Sequence, residues 1–206
     1  ILKKLRKVLG RSFFTNFLSK YFLNLEHVGK NYHKIMLEEF EKIKNYISEN
    51  DKNILSIGSG VGGFEIILNN HFKNLKFFFI EKNYISKKVV YSWDSTNKEA
   101  YNNLDLQKQF LIKNGMNDVN IYDFDKNNLP DVKYDLIISL FSLDYHYDFY
   151  LYYDYFKKVC TPNTKLIFDT IRPDHFEKVF NNIKILNIFD ETVHKSKRIL
   201  CSGIKL

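Results

Sequence analysis

The sequence predicts an α/β fold, a mostly parallel sheet with helices on both faces, closed by an antiparallel hairpin. Three observations carry this. Short apolar runs alternate with helical stretches five times after residue 50. The first run ends in a glycine-rich turn, Gly58-Ser59-Gly60-Val61-Gly62-Gly63. Two last runs, Ile183 to Phe189 and Arg198 to Ile204, flank a polar stretch at Asp190 to Lys197, as hairpin strands do. With 206 residues, 45% of them hydrophobic, the chain can build one domain with a sizeable core but not two full ones.

Residues 1 to 50 read as a helical lead, with Leu5, Leu9, Phe13, Phe17, Tyr21 and Leu25 spaced by four and Lys3, Lys4, Arg6, Lys7 and Arg11 at its start. A second helical stretch runs from Tyr32 to Ile47. From residue 51 to 206 the pattern is that of the α/β domain. Ile54-Leu55-Ser56-Ile57 is the buried first strand, followed by a helix over Gly63 to Asn69. Lys76 to Glu81 is the second strand. A long segment with Trp93 and Asp94 leads to a helix from Lys98 to Lys113, closed by Asn114-Gly115. Val119 to Tyr122 and Tyr134 to Leu140 are the third and fourth strands. An aromatic helix over Tyr150 to Val159, a fifth strand at Lys165 to Phe168 and a short helix at His175 to Asn181 precede the hairpin.

The net charge of +7 points to an anionic partner, but Lys, Asn, Ile, Tyr and Phe are abundant together, as in a gene of low GC content. Most lysines then read as solubilising surface. Cys160 and Cys201 are too few for a disulfide framework or a zinc cluster, so no metal site is expected and a reducing, cytoplasmic setting fits. There is no run of about 18 apolar residues and no export signal.

The glycine turn lies between a strand and a helix, and Glu81 ends the next strand. Glycines suit a sharp turn that a ligand approaches closely. A carboxylate at the neighbouring strand end can accept hydrogen bonds from both hydroxyls of a ribose. Gly58, Gly60 and Gly63 satisfy the dinucleotide spacing, which supports a nicotinamide-dependent oxidoreductase. Gly62, the terminal hairpin in place of a second mononucleotide half, and the lack of length for a substrate domain favour S-adenosylmethionine instead.

The stretch NILSIGSGVGGFEIILNNHFKNLKFFFIEKN, the segment LPDVKYDLIIS and the hairpin together resemble the class I S-adenosylmethionine-dependent methyltransferases, over about residues 50 to 206. The segments EKNYISKKVVYSWD, AYNNLDLQKQFLIKNGM and SLFSLDYHYDFYLYYDY are similar to a group of sugar O-methyltransferases. The resemblance implies a Rossmann-like fold with a seven-stranded sheet. It implies that Gly58, Ser59, Gly60 and Gly62 face the methionine and ribose portions of the cofactor, and that Glu81 takes the ribose hydroxyls. It places Asp125, with Asp123 as the competing register, at the adenine amino group, and Ser139 and Leu140 beside the reactive methyl. Many members carry an acid two residues before the first glycine. Here that position is Ser56, so a common contact is weakened or replaced.

Methyl transfer to a hydroxyl needs a positioned acceptor, a proton acceptor and exclusion of water. His146 is the candidate base, with Asp144 to orient it or to act in its place; packing of the following helix is the bland alternative for both. Tyr145 and Tyr147 precede that helix and could stack on a sugar, while the other aromatics around them suit packing. Trp93 and Asp94 could close over the acceptor, and Arg172 could hold an anionic one or form a salt bridge. Tyr32 and His33 could form a lid, whereas His71, His175 and His194 read as surface residues. No Asn/Asp-Pro-Pro-aromatic motif, Pro-Cys nucleophile or RNA-binding module occurs, so no nucleic-acid partner is expected. The expected partner is a small molecule such as a carbohydrate. The basic N-terminal helix serves better as a lid than as a peripheral membrane contact. A member that binds cofactor without catalysis is the remaining alternative.

Overall fold

The computed structural model describes residues 17, 20–85, 101–126, 128–189 and 195–205. The basic N-terminal segment, Trp93, Asp94 and His194 lie outside them. The strands are β1 (Asn53–Ile57), β2 (Lys76–Glu81), β3 (Tyr84–Ile85), β4 (Tyr101–Asn102), β5 (Val119–Asp123), β6 (Leu136–Ser139), β7 (Lys165–Thr170), β8 (Phe180–Phe189) and β9 (Ser196–Ile204). The helices are α1 (Leu25–Ile43), α2 (Gly63–His71), α3 (Leu104–Lys113) and α4 (Tyr153–Val159).

Seven strands form one sheet in the order β5-β2-β1-β6-β7-β9-β8, and β3 pairs with β4 separately. The first five are parallel; β9 runs antiparallel to both β7 and β8, as the hairpin reading requires. Strand order reverses at β1, which has β2 on one side and β6 on the other. A crevice for ligands opens at the carboxyl ends of such strands.

The period of two along each strand sorts side chains to two cores. Leu55, Ile57, Phe78, Ile80 and Ile137 face one side, against Phe149, Phe156 and Phe176. Ile54, Phe77, Phe79, Leu136 and Ile138 face the other, against Phe40 and Ile43 of α1, Phe64 and Leu68 of α2 and Leu111 of α3. Both faces are covered, which is why these strands read as continuous apolar runs.

The boundaries differ from expectation in four places. The helix expected from Lys98 begins at Leu104, capped by Asn103, and Tyr101–Asn102 form β4 against β3 instead. Helix α1 begins at Leu25 rather than Tyr32, because the Asn24 side chain accepts the His27 N–H and Glu26 lies in the first turn. The aromatic helix starts at Tyr153, after a separate 3-10 turn at Phe149–Leu151 capped by Asp148. The segment expected as a short helix is a 3-10 turn, Pro173–Lys178, and Phe180 already belongs to β8, where its ring is buried in the core. Among the described residues no helix is long and apolar enough to cross a membrane, and no cluster of His, Cys, Asp and Glu could hold a metal ion. Both cysteines are buried and unpaired.

Candidate functional site

The glycine turn joins β1 to α2 at the point where strand order reverses. Gly58, Gly60 and Gly62 have φ of +68°, +62° and +84°, the left-handed region that favours glycine. Gly58 also permits a close approach: a Cβ there would lie 1.8 Å from Ser142 Oγ in the loop after β6. A Cβ on Gly62 would lie 2.6 Å from Leu111 Cδ2 of α3. Around Gly60 the same construction meets nothing within 4 Å, so this part of the turn faces open space.

Glu81 ends β2 beneath the turn, 5% exposed. Ser59 Oγ donates to Glu81 Oε1 at 2.7 Å and accepts from Gln107 Nε2 at 2.9 Å. Asn102 Nδ2 donates to Gln107 Oε1 and to the Gly60 carbonyl. Burial pushes the Glu81 carboxyl up to about 8, with hydrogen bonds from Ser59 and Asn102 opposing. Asn102 and Gln107 were not apparent as site residues in the sequence; the only local signal was the Asn103 cap that fixes where α3 begins.

A cavity of about 280 Å³ opens between the turn and α1. Its lining includes Tyr32, Met36, Gly58, Gly60, Glu65 and Leu140. The Tyr32 hydroxyl accepts the Gly63 N–H at the start of α2. Glu65 is buried in the first turn of α2, and Ser56 Oγ donates to its Oε1 at 2.5 Å. Burial raises this carboxyl to about 7.

After β6, Ser139 Oγ donates to the Ile57 carbonyl and accepts the Leu143 N–H, so it fastens two strand ends. Phe141, at φ +53°, donates its N–H to Asp169 and lays its ring 5.3 Å from the Arg198 guanidinium. Arg198 is itself fully buried, held by both oxygens of Asp169 and by Glu39 of α1. At the end of β5, Asp123 is buried and accepts the Asp125 N–H, while Asp125 is exposed and lies 3.5 Å from Lys82 Nζ.

No protein-family model and no curated protein sequence matches the chain. Solved structures do. A structure described as StiE O-MT residues 961-1257 superposes with a TM-score of 0.54 at 16% identity, over 81% of this chain and 72% of its own. The ribosomal protein L11 methylase of Lactobacillus delbrueckii subsp. bulgaricus gives 0.54 at 11%, over 80% and 76%. The precorrin-6y C5,15-methyltransferase of Geobacter metallireducens GS-15 gives 0.50 at 13%, over 84% and 88%. The chain has the class I methyltransferase fold.

Within that methyltransferase fold, Gly58, Ser59, Gly60, Gly62 and Glu81 stand together as one cluster at the ends of β1 and β2, with Leu140 across the cavity. The Ser139 side chain is a tether rather than a wall of the site. One expectation is corrected. Asp144 does not orient His146: it is fully buried, accepts Thr170 Oγ1 at 2.5 Å and pairs with Arg172 Nη2 at 2.6 Å. A carboxylate so held has no oxygen left to act as base. Arg172 pairs with Asp144 and Asp148, the salt-bridge alternative of the two the sequence offered. His146 is half-buried in a turn whose N–H groups converge on the Ser142 carbonyl, and among the described residues it does not line the cavity. Tyr145 packs edge-on against Phe141 and His146. His33 is exposed, away from the contact that Tyr32 makes.

Proposed function

We propose that the protein binds S-adenosylmethionine across the carboxyl ends of β1, β2 and β5 and directs methylation of a small hydroxylated acceptor such as a sugar. The supporting observation is the Ser59–Glu81 hydrogen bond under a glycine turn at the point where strand order reverses. The residues suit this cofactor: Gly60 leaves open space, and the adjoining cavity carries a carboxyl oxygen that has no partner among the described residues. The bound cofactor supplies a methyl group on a sulfonium. Glu81 accepts hydrogen bonds from the ribose hydroxyls, which favour its ionised form, so binding near neutral pH releases a proton that burial holds in the free protein. Asp125, exposed beside Phe124, serves the adenine amino group, and Leu140 and Phe141 exclude water from the acceptor side. His146, in the turn after Ser142, is the proposed acceptor of the proton from the hydroxyl.

Calorimetry with S-adenosylmethionine and S-adenosylhomocysteine tests the cofactor, and no binding to either at millimolar concentration refutes it. His146→Ala should abolish turnover of a sugar acceptor; unchanged turnover removes the base. The capture of Asp144 by Arg172 favours a second reading, a cofactor-binding protein without catalysis. Tight cofactor binding with no transfer across a broad acceptor panel would select it. NADH fluorescence enhancement without S-adenosylhomocysteine binding would select a nicotinamide-dependent enzyme.

A further inference from the structure

Two buried carboxyl groups flank the glycine turn, and the proposal above uses only Glu81. Glu65 is 3% exposed, and Ser56 holds its Oε1. Among the described residues, Glu65 Oε2 is the buried side-chain oxygen that has no hydrogen-bond partner. A buried polar atom left unsatisfied is costly, and each one in a folded protein calls for an explanation, a ligand or bound water among them.

The surroundings restrict what that ligand is. Glu65 lines the cavity against the glycine turn, together with Tyr32 and Leu140. The other carboxylate of the lining, Glu39, is already paired with Arg198 and Lys42. Glu65 lies close enough to Glu81 for its charge to help keep that neighbouring carboxyl protonated. No cation reaches Glu65 from the described residues, so the cavity presents an acceptor oxygen in an environment short of positive charge. A group bearing both positive charge and N–H donors satisfies it on both counts.

We propose that Glu65 receives the ammonium group of the amino-acid portion of S-adenosylmethionine. This rests on the cofactor reading above. Residue 56, where the resemblance expects an acid, is a serine, and its hydroxyl instead grips a carboxylate delivered from α2.

The test is calorimetric titration of wild type, Glu65→Gln and Glu81→Gln with two probes. S-adenosylhomocysteine carries the ammonium; 5′-methylthioadenosine keeps the adenosine and thioether but lacks the amino-acid portion. Glu65→Gln should weaken S-adenosylhomocysteine about tenfold or more and leave 5′-methylthioadenosine within about twofold, whereas Glu81→Gln should weaken both. Equal effects of Glu65→Gln on the two probes, or none on either, overturn the assignment. Failure of wild type to bind either probe overturns the cofactor reading itself. Should Glu65→Gln not fold, Ser56→Ala releases the carboxylate from its support and should weaken S-adenosylhomocysteine selectively. Loss of that selectivity also refutes the role.

Discussion

Replacing Glu81 by glutamine converts a buried carboxyl into a neutral group of the same shape, one that still accepts the Ser59 hydroxyl. Burial raises the Glu81 pKa from 4.5 to about 8, so the native state holds a proton that the unfolded chain releases across this interval. The sign follows. The stabilisation is complete below the unfolded pKa and is lost as pH rises through the folded one. Between pH 5 and 8 the wild type should therefore lose at most about 3–4 kcal/mol relative to Glu81→Gln, from 1.36 kcal/mol per pKa unit. For a chain of this length that is a relative fall in Tm on the order of 6–16 °C. Urea melts of both proteins at half-unit pH steps isolate this group together with its coupling to Glu65, because titrations uncoupled to Glu81 cancel in the difference. The variant should be close to wild type at pH 5 and the more stable protein at pH 8. A difference that does not change with pH would refute the burial of a protonated Glu81. Glu65, raised to about 7, should contribute a second fall in the same direction that Glu65→Gln removes.

Gly58→Ala sets a Cβ 1.8 Å from Ser142 Oγ at positive φ and should cost roughly 2–4 kcal/mol, against about 1 kcal/mol for Gly60→Ala, which meets strain alone. Equal urea midpoints for the two would show that the loops after β1 and β6 do not touch. Arg198→Met leaves Asp169 and Glu39 buried without their cation and should cost about 3–5 kcal/mol in the same assay. A loss under about 1 kcal/mol would mean that water already reaches the cluster.

The glycine turn and Glu81 were legible because each is a local signal, a turn that closes an apolar run and an acid that ends the next run. The path from Ser59 through Gln107 to Asn102 was not legible, since a glutamine in a helix does not announce which face it occupies. The Asp144–Arg172 pair was equally hidden. Both residues sit in loops after separate strands, and each alone read as a functional group. Glu65 was overlooked because an acid in a first helical turn ordinarily complements the helix dipole in solvent.

The sequence by itself determined the order along the chain of the seven strands of the main sheet, the glycine turn and the terminal hairpin. These depend on a period of two or about 3.6 residues and on backbone freedom, which neighbouring residues encode. Only the tertiary structure decided which polar groups are paired. Arg198 meets Asp169 and Glu39 across separations of 29 and 159 residues, and Ser56 meets Glu65 only when α2 folds back over β1. Burial then sets the charge of each group, and burial exists only after the sheet has chosen its neighbours.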